Sequence, residues 1–234
     1  GDNSNGLVDI DLDCPEAVTL AEYFLPQTSM VFGHENNPRS HWIYRLDKGV
    51  KTIKYSLRSE NLLELRSNGA YTVFPPSIHK TDTQIEFAED GAPGKVKYED
   101  LKKSTEKLAA ATFLLKNWQQ GIRHSLTIGL AGLLKKSDWH VGDVIAFVKT
   151  IASCAGDDET EERVRTVEDN YKKPDTVITG HKKIEEILGR DIATKISEWL
   201  TEQSKINPAV NIHDITMEAS KKMTDVGNGL RFYE

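Results

Sequence analysis

The stretch Leu7-Val8-Asp9-Ile10-Asp11-Leu12-Asp13-Cys14-Pro15-Glu16 decides how the first half of this chain folds. Strand side chains alternate between faces, so Val8, Ile10 and Leu12 are expected to enter a core while Asp9, Asp11 and Asp13 share the opposite face. Neighbours on that face lie about 6.6 Å apart, and three anionic groups at such spacing repel one another unless a cation joins them. Two readings stand. The commoner one for this pattern alone is an amphipathic strand with a solvated polar face. The other is a divalent-cation site made of carboxylate oxygens, which with two ions is the usual apparatus of phosphoryl and nucleotidyl transfer. Immediately downstream, Pro15 with Glu16 in its first turn opens a helix predicted over 15–25, closed by Pro26.

At 234 residues, 38% hydrophobic and 28% charged, the chain has enough apolar material for one or two cores. No apolar run approaches the roughly 18 residues that span a bilayer, so no membrane partner is expected. The opening Gly1-Asp2-Asn3-Ser4-Asn5-Gly6 lacks a basic segment followed by an apolar one, which predicts no signal peptide and a cytoplasmic location. Cys14 and Cys154 are far apart and form no CxxC pair, in keeping with a reducing compartment. A net charge of -6 ordinarily argues against a nucleic-acid partner. An acidic metal site, however, lowers the total while leaving local basic patches intact.

The pattern changes near Tyr98. Before it, short strand-like runs at 29–32, 41–46, 52–57, 62–66, 70–74 and 84–87 alternate with turn signals. After it, apolar residues recur at helical spacing: Leu101, Leu108, Ala111, Leu115 and Trp118, then Leu126, Leu130 and Leu133, then further sets to Trp199. The expectation is an α+β chain. A mixed α/β domain occupies 1–97, an all-α helical bundle 98–203, and a linker leading into a further region 204–234, with Gly91-Ala92-Pro93-Gly94 as the boundary turn.

Asn68-Gly69 between two alternating apolar runs predicts a hairpin, because both turn positions favour positive φ. Glu64 and Arg66 then share one face of the incoming strand, with Leu63 and Leu65 on the other. They are either an ordinary surface pair or a metal ligand beside a phosphate-binding arginine. Upstream, Arg39-Ser40-His41 at the head of a strand offers guanidinium, hydroxyl and imidazole donors suited to a triphosphate. The alternative there is a structural histidine. Lys48, Lys51 and Lys54, with Arg66, suit either template phosphates or a solvated hairpin.

Taken together, Asp11-x-Asp13, Ser40-His41, Glu64-x-Arg66 with its glycine turn, and Pro75-Pro76-Ser77-x-His79 resemble the primase-polymerase branch of the archaeo-eukaryotic primase superfamily, especially its phage, plasmid and mobile-element members. The resemblance implies an RRM-like sheet in which Asp11, Asp13 and Glu64 are catalytic and hold two Mg2+ or Mn2+ ions. It further implies that Ser40, His41, Arg66, Ser77 and His79 bind the nucleoside triphosphate. Asp9 lies outside the two-acid motif and receives no role. Glu64 stands where an aspartate is common, and Arg39 where a spacer residue is expected. The implied reaction is attack of a primer hydroxyl on the α-phosphate of an NTP or dNTP, templated by single-stranded DNA.

The helical half resembles the small helical domain that follows many such catalytic domains. There Arg123 and His124 precede a helix predicted over 125–134, with Ser125 as its cap, and are candidate DNA contacts. The run 224–232 resembles the opening of a helicase domain, which implies a fused or separate helicase. Relatives of this type carry more of the catalytic domain ahead of the two-acid strand than Gly1 to Gly6, so the expectation is an N-terminally truncated fragment or a reduced version. Two competing classes share part of the pattern. A haloacid-dehalogenase-type phosphatase would use Asp11-x-Asp13 with Gly156-Asp157-Asp158, but that motif should follow a buried strand and 144–155 reads as a helix. A non-catalytic DNA- and nucleotide-binding initiator module remains open.

Overall fold

In the computed structural model, β1 (Leu7–Leu12) is a central strand, paired antiparallel on one side with β3 (Asn37–Arg45) and on the other with β5 (Glu60–Arg66). The structure describes residues 1–79 and 82–201; the expected linker and helicase-like run within 204–234 lie outside the described residues. With β2 (Met30–His34), β4 (Ile53–Leu57), β6 (Ile85–Asp90) and β7 (Gly94–Lys95), these strands form one seven-stranded sheet in the order β4-β5-β1-β3-β2-β6. All pairings are antiparallel except that of β7 with β3.

Alternation along β1 works as expected on the apolar side, where Val8, Ile10 and Leu12 are at most 2% exposed. Leu63, Leu65 and Tyr55 continue that face, and α1 (Pro15–Phe24) and α2 (Tyr98–Lys116) pack on each other and on β1, β4 and β5. The polar side of β1 is not a solvated one. Asp9 and Asp11 are only 4% and 6% exposed.

Two elements differ from the sequence expectation. Gly69 does take positive φ, but the chain beyond it forms no strand at 70–74. Instead the Thr72 hydroxyl donates to Asp9 and Phe74 packs on Phe32, so this segment is held by side chains instead of a backbone ladder. The hairpin lies one strand earlier, where Arg58 and Ser59, both at positive φ, join β4 to β5. The Gly91–Gly94 turn is followed by β7, which remains part of the sheet. Consequently the first unit runs Gly1–Lys116 and includes α2, which periodicity alone groups with the helical half.

The second unit starts at Asn117 and contains α3 (Arg123–Lys135), α4 (Val141–Cys154), α5 (Thr160–Lys172), α6 (His181–Leu188) and α7 (Arg190–Thr201). Helix α3 packs against α5 and α6, α4 against α5, and α6 against α7. It begins at Arg123 with no side-chain cap, so Ser125 lies inside the first turn and does not cap it. Its glycines mark a close crossing: a methyl group on Gly132 would lie 1.9 Å from the Thr179 carbonyl oxygen.

Gly132→Ala weighs two opposed effects. Alanine gains about 1 kcal/mol of helix propensity over glycine, whereas overpacking a crossing of this kind costs about 1–3 kcal/mol. Since the carbonyl belongs to backbone and cannot rotate aside, the net outcome expected in urea denaturation is a loss of stability. Unchanged or increased stability would show that the 178–180 segment yields freely.

Candidate active site

Three adjacent strands bring the sequence candidates onto one sheet face. Asp11 on β1 faces His41 on β3 and Glu64 on β5, while Asp9 faces Arg66 across the β1–β5 ladder. The face is therefore set by register, and a slip of one residue in either ladder would scatter it. Asp13 comes directly after β1, its backbone N–H donating to the Leu62 carbonyl at 3.0 Å.

The protein's own cations partly neutralise these acids. His41 Nδ1 sits 3.0 Å from Asp9 Oδ2 and 3.3 Å from Asp11 Oδ1. The Arg66 guanidinium bridges Asp11 and Glu64, its Nε donating to Glu64 at 3.0 Å. Lys54 of β4 lies 2.9 Å from the other Glu64 oxygen. What remains is an excess of negative charge. Burial, reinforced by Asp9 and Asp13, outweighs His41 and Arg66 and pushes the Asp11 carboxyl up to about 7. Asp13, exposed at the edge of this face, is raised as well, by partial desolvation first and then by Glu64. Burial also opposes ionisation of Glu64, but hydrogen bonds from Lys54 and Arg66 prevail and lower it. For His41, burial disfavours the imidazolium, yet the hydrogen bond and charge of Asp9, with Asp11, raise it overall. The Asp9 Oδ1 oxygen is buried without a hydrogen-bond partner.

Aromatic rings complete the face. His41 stacks on Phe32 at 4.8 Å, and Phe32 in turn meets Phe74 at 4.6 Å. Thr72 Oγ1 donates to Asp9 Oδ2 at 2.7 Å, so the segment between β5 and β6 is tied to the acids at one end and to the rings at the other. This segment carries Ser77 and His79; the His79 ring lies parallel to that of His34 on β2 at 4.7 Å. Thr72, Phe32 and the bond from Asp9 to His41 have no local sequence signal beyond the alternation that puts Asp9 and Asp11 together.

Ser40 is turned away from this face. It is buried beside Gly33, opposite the Phe32 side, and its hydroxyl donates to the Asn37 carbonyl at 3.1 Å. Strand alternation separates it from His41 despite their adjacency in sequence. Its hydroxyl is engaged in a bond within β3, on the face opposite His41.

In the second unit, Arg123 already has anions of its own. Its guanidinium pairs with Asp157 at 3.0 Å, Asp158 at 2.8 Å and Glu159 at 3.1 Å. Asp157 also accepts from Trp118 Nε1 at 2.9 Å and from Arg163 Nε at 3.0 Å. Arg123 therefore clasps the start of α3 to the turn before α5, and DNA phosphates would compete with three carboxylates for it. His124 lines a recess of about 340 Å³ beside Arg123 and Arg163, but Asp158, Glu159 and Glu162 line it too. Asp157, Asp158 and Glu159 lie close enough to share a cation, yet two guanidiniums occupy that role.

Residues 1–103 match the sequence model of the family described as bifunctional DNA primase/polymerase, N-terminal. No curated protein and no solved structure matches the chain.

The Asp157 cluster has a pH signature. Burial opposes the Asp157 carboxylate, but hydrogen bonds from Arg163 and Trp118 outweigh it and hold the group below the ordinary carboxylate range. A folded-state value below the unfolded one contributes stability that is complete above the unfolded pKa of about 4 and vanishes as pH falls through the folded value. Removing one partner of a buried ion pair typically costs about 3–5 kcal/mol. Asp157→Ala is therefore expected to destabilise the protein strongly at pH 7, and the difference from wild type should shrink below about pH 4. Equal differences at pH 7 and pH 3 in parallel denaturation series would mean that packing, not charge, is what Asp157 provides.

Proposed function

We propose that the chain performs template-directed, two-metal nucleotidyl transfer on single-stranded DNA, a reading supported by the match of residues 1–103 to the family described as bifunctional DNA primase/polymerase, N-terminal. The observation that carries this reading is the convergence of Asp11, Glu64 and His41 from three adjacent strands onto one buried face. Incomplete neutralisation of the cluster supports the reading: Asp11 and Asp13 are both raised despite the cations beside them.

These features suit hard divalent cations with oxygen ligands. Asp11, Asp13 and Glu64 would hold Mg2+ or Mn2+, and the chemistry such ions supply is acidification of the primer hydroxyl and neutralisation of the departing pyrophosphate. The remaining work belongs to the chain. His41, anchored at Nδ1, has Nε2 available to donate to the triphosphate of an NTP or dNTP. Arg66 offers a planar fork suited to phosphate oxygens. Ser77 and His79 ride on the segment tied to Asp9 and are assigned to nucleotide binding with it. Phe32 fixes the plane of His41 and keeps that side of the ring dry.

The sheet-bearing unit is assigned the polymerase chemistry and the helical unit template handling, with His124 more available for DNA than Arg123. The same reading sets the chain in replication of a phage, plasmid or mobile element, in the cytoplasm and beside a fused or separate helicase. No described helix is long and apolar enough to cross a membrane.

Primer-extension and de novo priming assays with Mg2+ or Mn2+ test the proposal. Asp11→Ala and Asp13→Ala are each expected to lower incorporation by about a hundredfold or more, the scale of losing a preorganised electrostatic group. Retained binding of nucleotide and DNA with no incorporation by wild type under either metal would establish the non-catalytic initiator instead.

A second pair of variants separates neighbours. His41→Ala is expected to weaken nucleotide affinity in titration calorimetry about tenfold, the worth of one charge-assisted hydrogen bond, while Ser40→Ala leaves it unchanged. Reversed effects would mean that the strand presents Ser40, not His41, to the nucleotide.

A further inference from the structure

Asp9 is the acid that the two-acid motif does not use, and it is the most thoroughly buried of the group at 4% exposure. Its Oδ2 accepts two hydrogen bonds, from His41 Nδ1 at 3.0 Å and from Thr72 Oγ1 at 2.7 Å. One oxygen thus joins the imidazole of β3 to the segment between β5 and β6. We propose that Asp9 is a positioning residue of the nucleotide site, holding His41 with Nε2 directed at the triphosphate and pinning the Thr72 segment beside it. This rests on the proposed function, and within it assigns a role that the metal ligands do not cover.

Geometry supports the assignment in two ways. A histidine that donates from Nδ1 to a carboxylate has its tautomer and ring direction fixed, and Nε2 lies across the ring from that bond. Phe32, stacked on His41 at 4.8 Å, sets the plane of the ring but leaves it free to slide or flip; the bond to Asp9 removes that freedom. Second, His41 Nδ1 is also 3.3 Å from Asp11 Oδ1. The shorter contact marks Asp9 as the principal acceptor of the imidazole and leaves Asp11 the weaker one.

The rival role for Asp9 is direct metal ligation through its unpartnered Oδ1. Asp9→Ala removes the acceptor, while Asp9→Asn keeps a carbonyl oxygen in its place without the charge. Three readouts on the intact chain distinguish the roles: nucleotide affinity by calorimetry with Mn2+, Mn2+ affinity alone, and the ¹⁵N chemical shifts of the His41 ring. For Asp9→Ala the expectation is about tenfold weaker nucleotide binding, Mn2+ affinity within about twofold of wild type, and loss of the Nδ1-protonated signature. Asp9→Asn should restore that signature and most of the nucleotide affinity. Thr72→Val, which removes only the second donor, should keep the ring signature and weaken nucleotide binding less.

Loss of Mn2+ affinity in both Asp9 variants would make Asp9 a metal ligand and overturn the proposal. So would wild-type nucleotide affinity in Asp9→Ala while His41→Ala shows its expected loss, and that result would leave the proposed function standing. If His41→Ala itself leaves nucleotide affinity unchanged, the assignment of His41 fails and the role of Asp9 fails with it. Should Asp9→Ala not fold, Asp9→Asn with Thr72→Val carries the test, and loss of the ring signature in Asp9→Asn counts against the proposal.

Discussion

Like charge collected on one face of a sheet is the constraint on which the rest of the first unit depends. Asp9, Asp11 and Glu64 are all nearly buried, and Asp13 lies beside them. Desolvating a carboxylate is expensive unless it is paired and hydrogen-bonded, and here the pairing is incomplete. A backbone able to hold such a cluster must draw its stability elsewhere. It does so on the opposite face, where Val8, Ile10, Leu12, Leu63 and Leu65 pack under α1 and α2. Apolar burial of this kind contributes about 25 cal/mol per Å², and it pins the register that sets the acids opposite one another.

That coupling between faces explains why the cluster comes from neighbouring strands. Opposed residues in an antiparallel pair hold their Cβ atoms about 4.5–5.5 Å apart, close enough for side chains to share a ligand or a proton. The alternation that sends Ile10 inward sends Asp11 outward, and the ladders to β3 and β5 then supply His41 and Glu64 without any loop having to be positioned. Loops add a second layer. Thr72 and Phe74 bring in a segment with no strand of its own, and it is the side chains of Asp9 and Phe32 that receive it.

Legibility in the sequence tracks this distinction. The acids, Glu64, Arg66 and His41 are readable because strand periodicity is a local property of the chain. Ser40 misleads because adjacency in a motif suggests adjacency in space, whereas alternation places the two side chains on opposite faces. The Asn68-Gly69 signal is right about φ at Gly69 but carries no information on the 70–74 segment, since the anchoring of Thr72 depends on a residue far back in the chain. Arg58-Ser59 makes the actual hairpin with no glycine or asparagine to announce it. Nor could the sequence show that Arg123 would meet Asp157, Asp158 and Glu159, because that pairing is created by the packing of α3 against α5.

Each unit contains buried acids, and comparing them shows what separates a structural carboxylate from a functional one. Asp157 accepts from Trp118, Arg163 and the Glu159 backbone N–H and is paired with Arg123, so its charge is matched and its carboxyl is held low. Its partners fill the available lone pairs, and nothing about it calls for a further ligand. Around Asp11 the balance goes the other way. Two cationic side chains face Asp9, Asp11, Asp13 and Glu64 with help from Lys54 at the rim, Asp11 is pushed up to about 7, and an Asp9 oxygen remains unpartnered. Asp11 and Asp157 are alike in residue type and burial; what separates them is how far the surrounding partners neutralise each carboxylate.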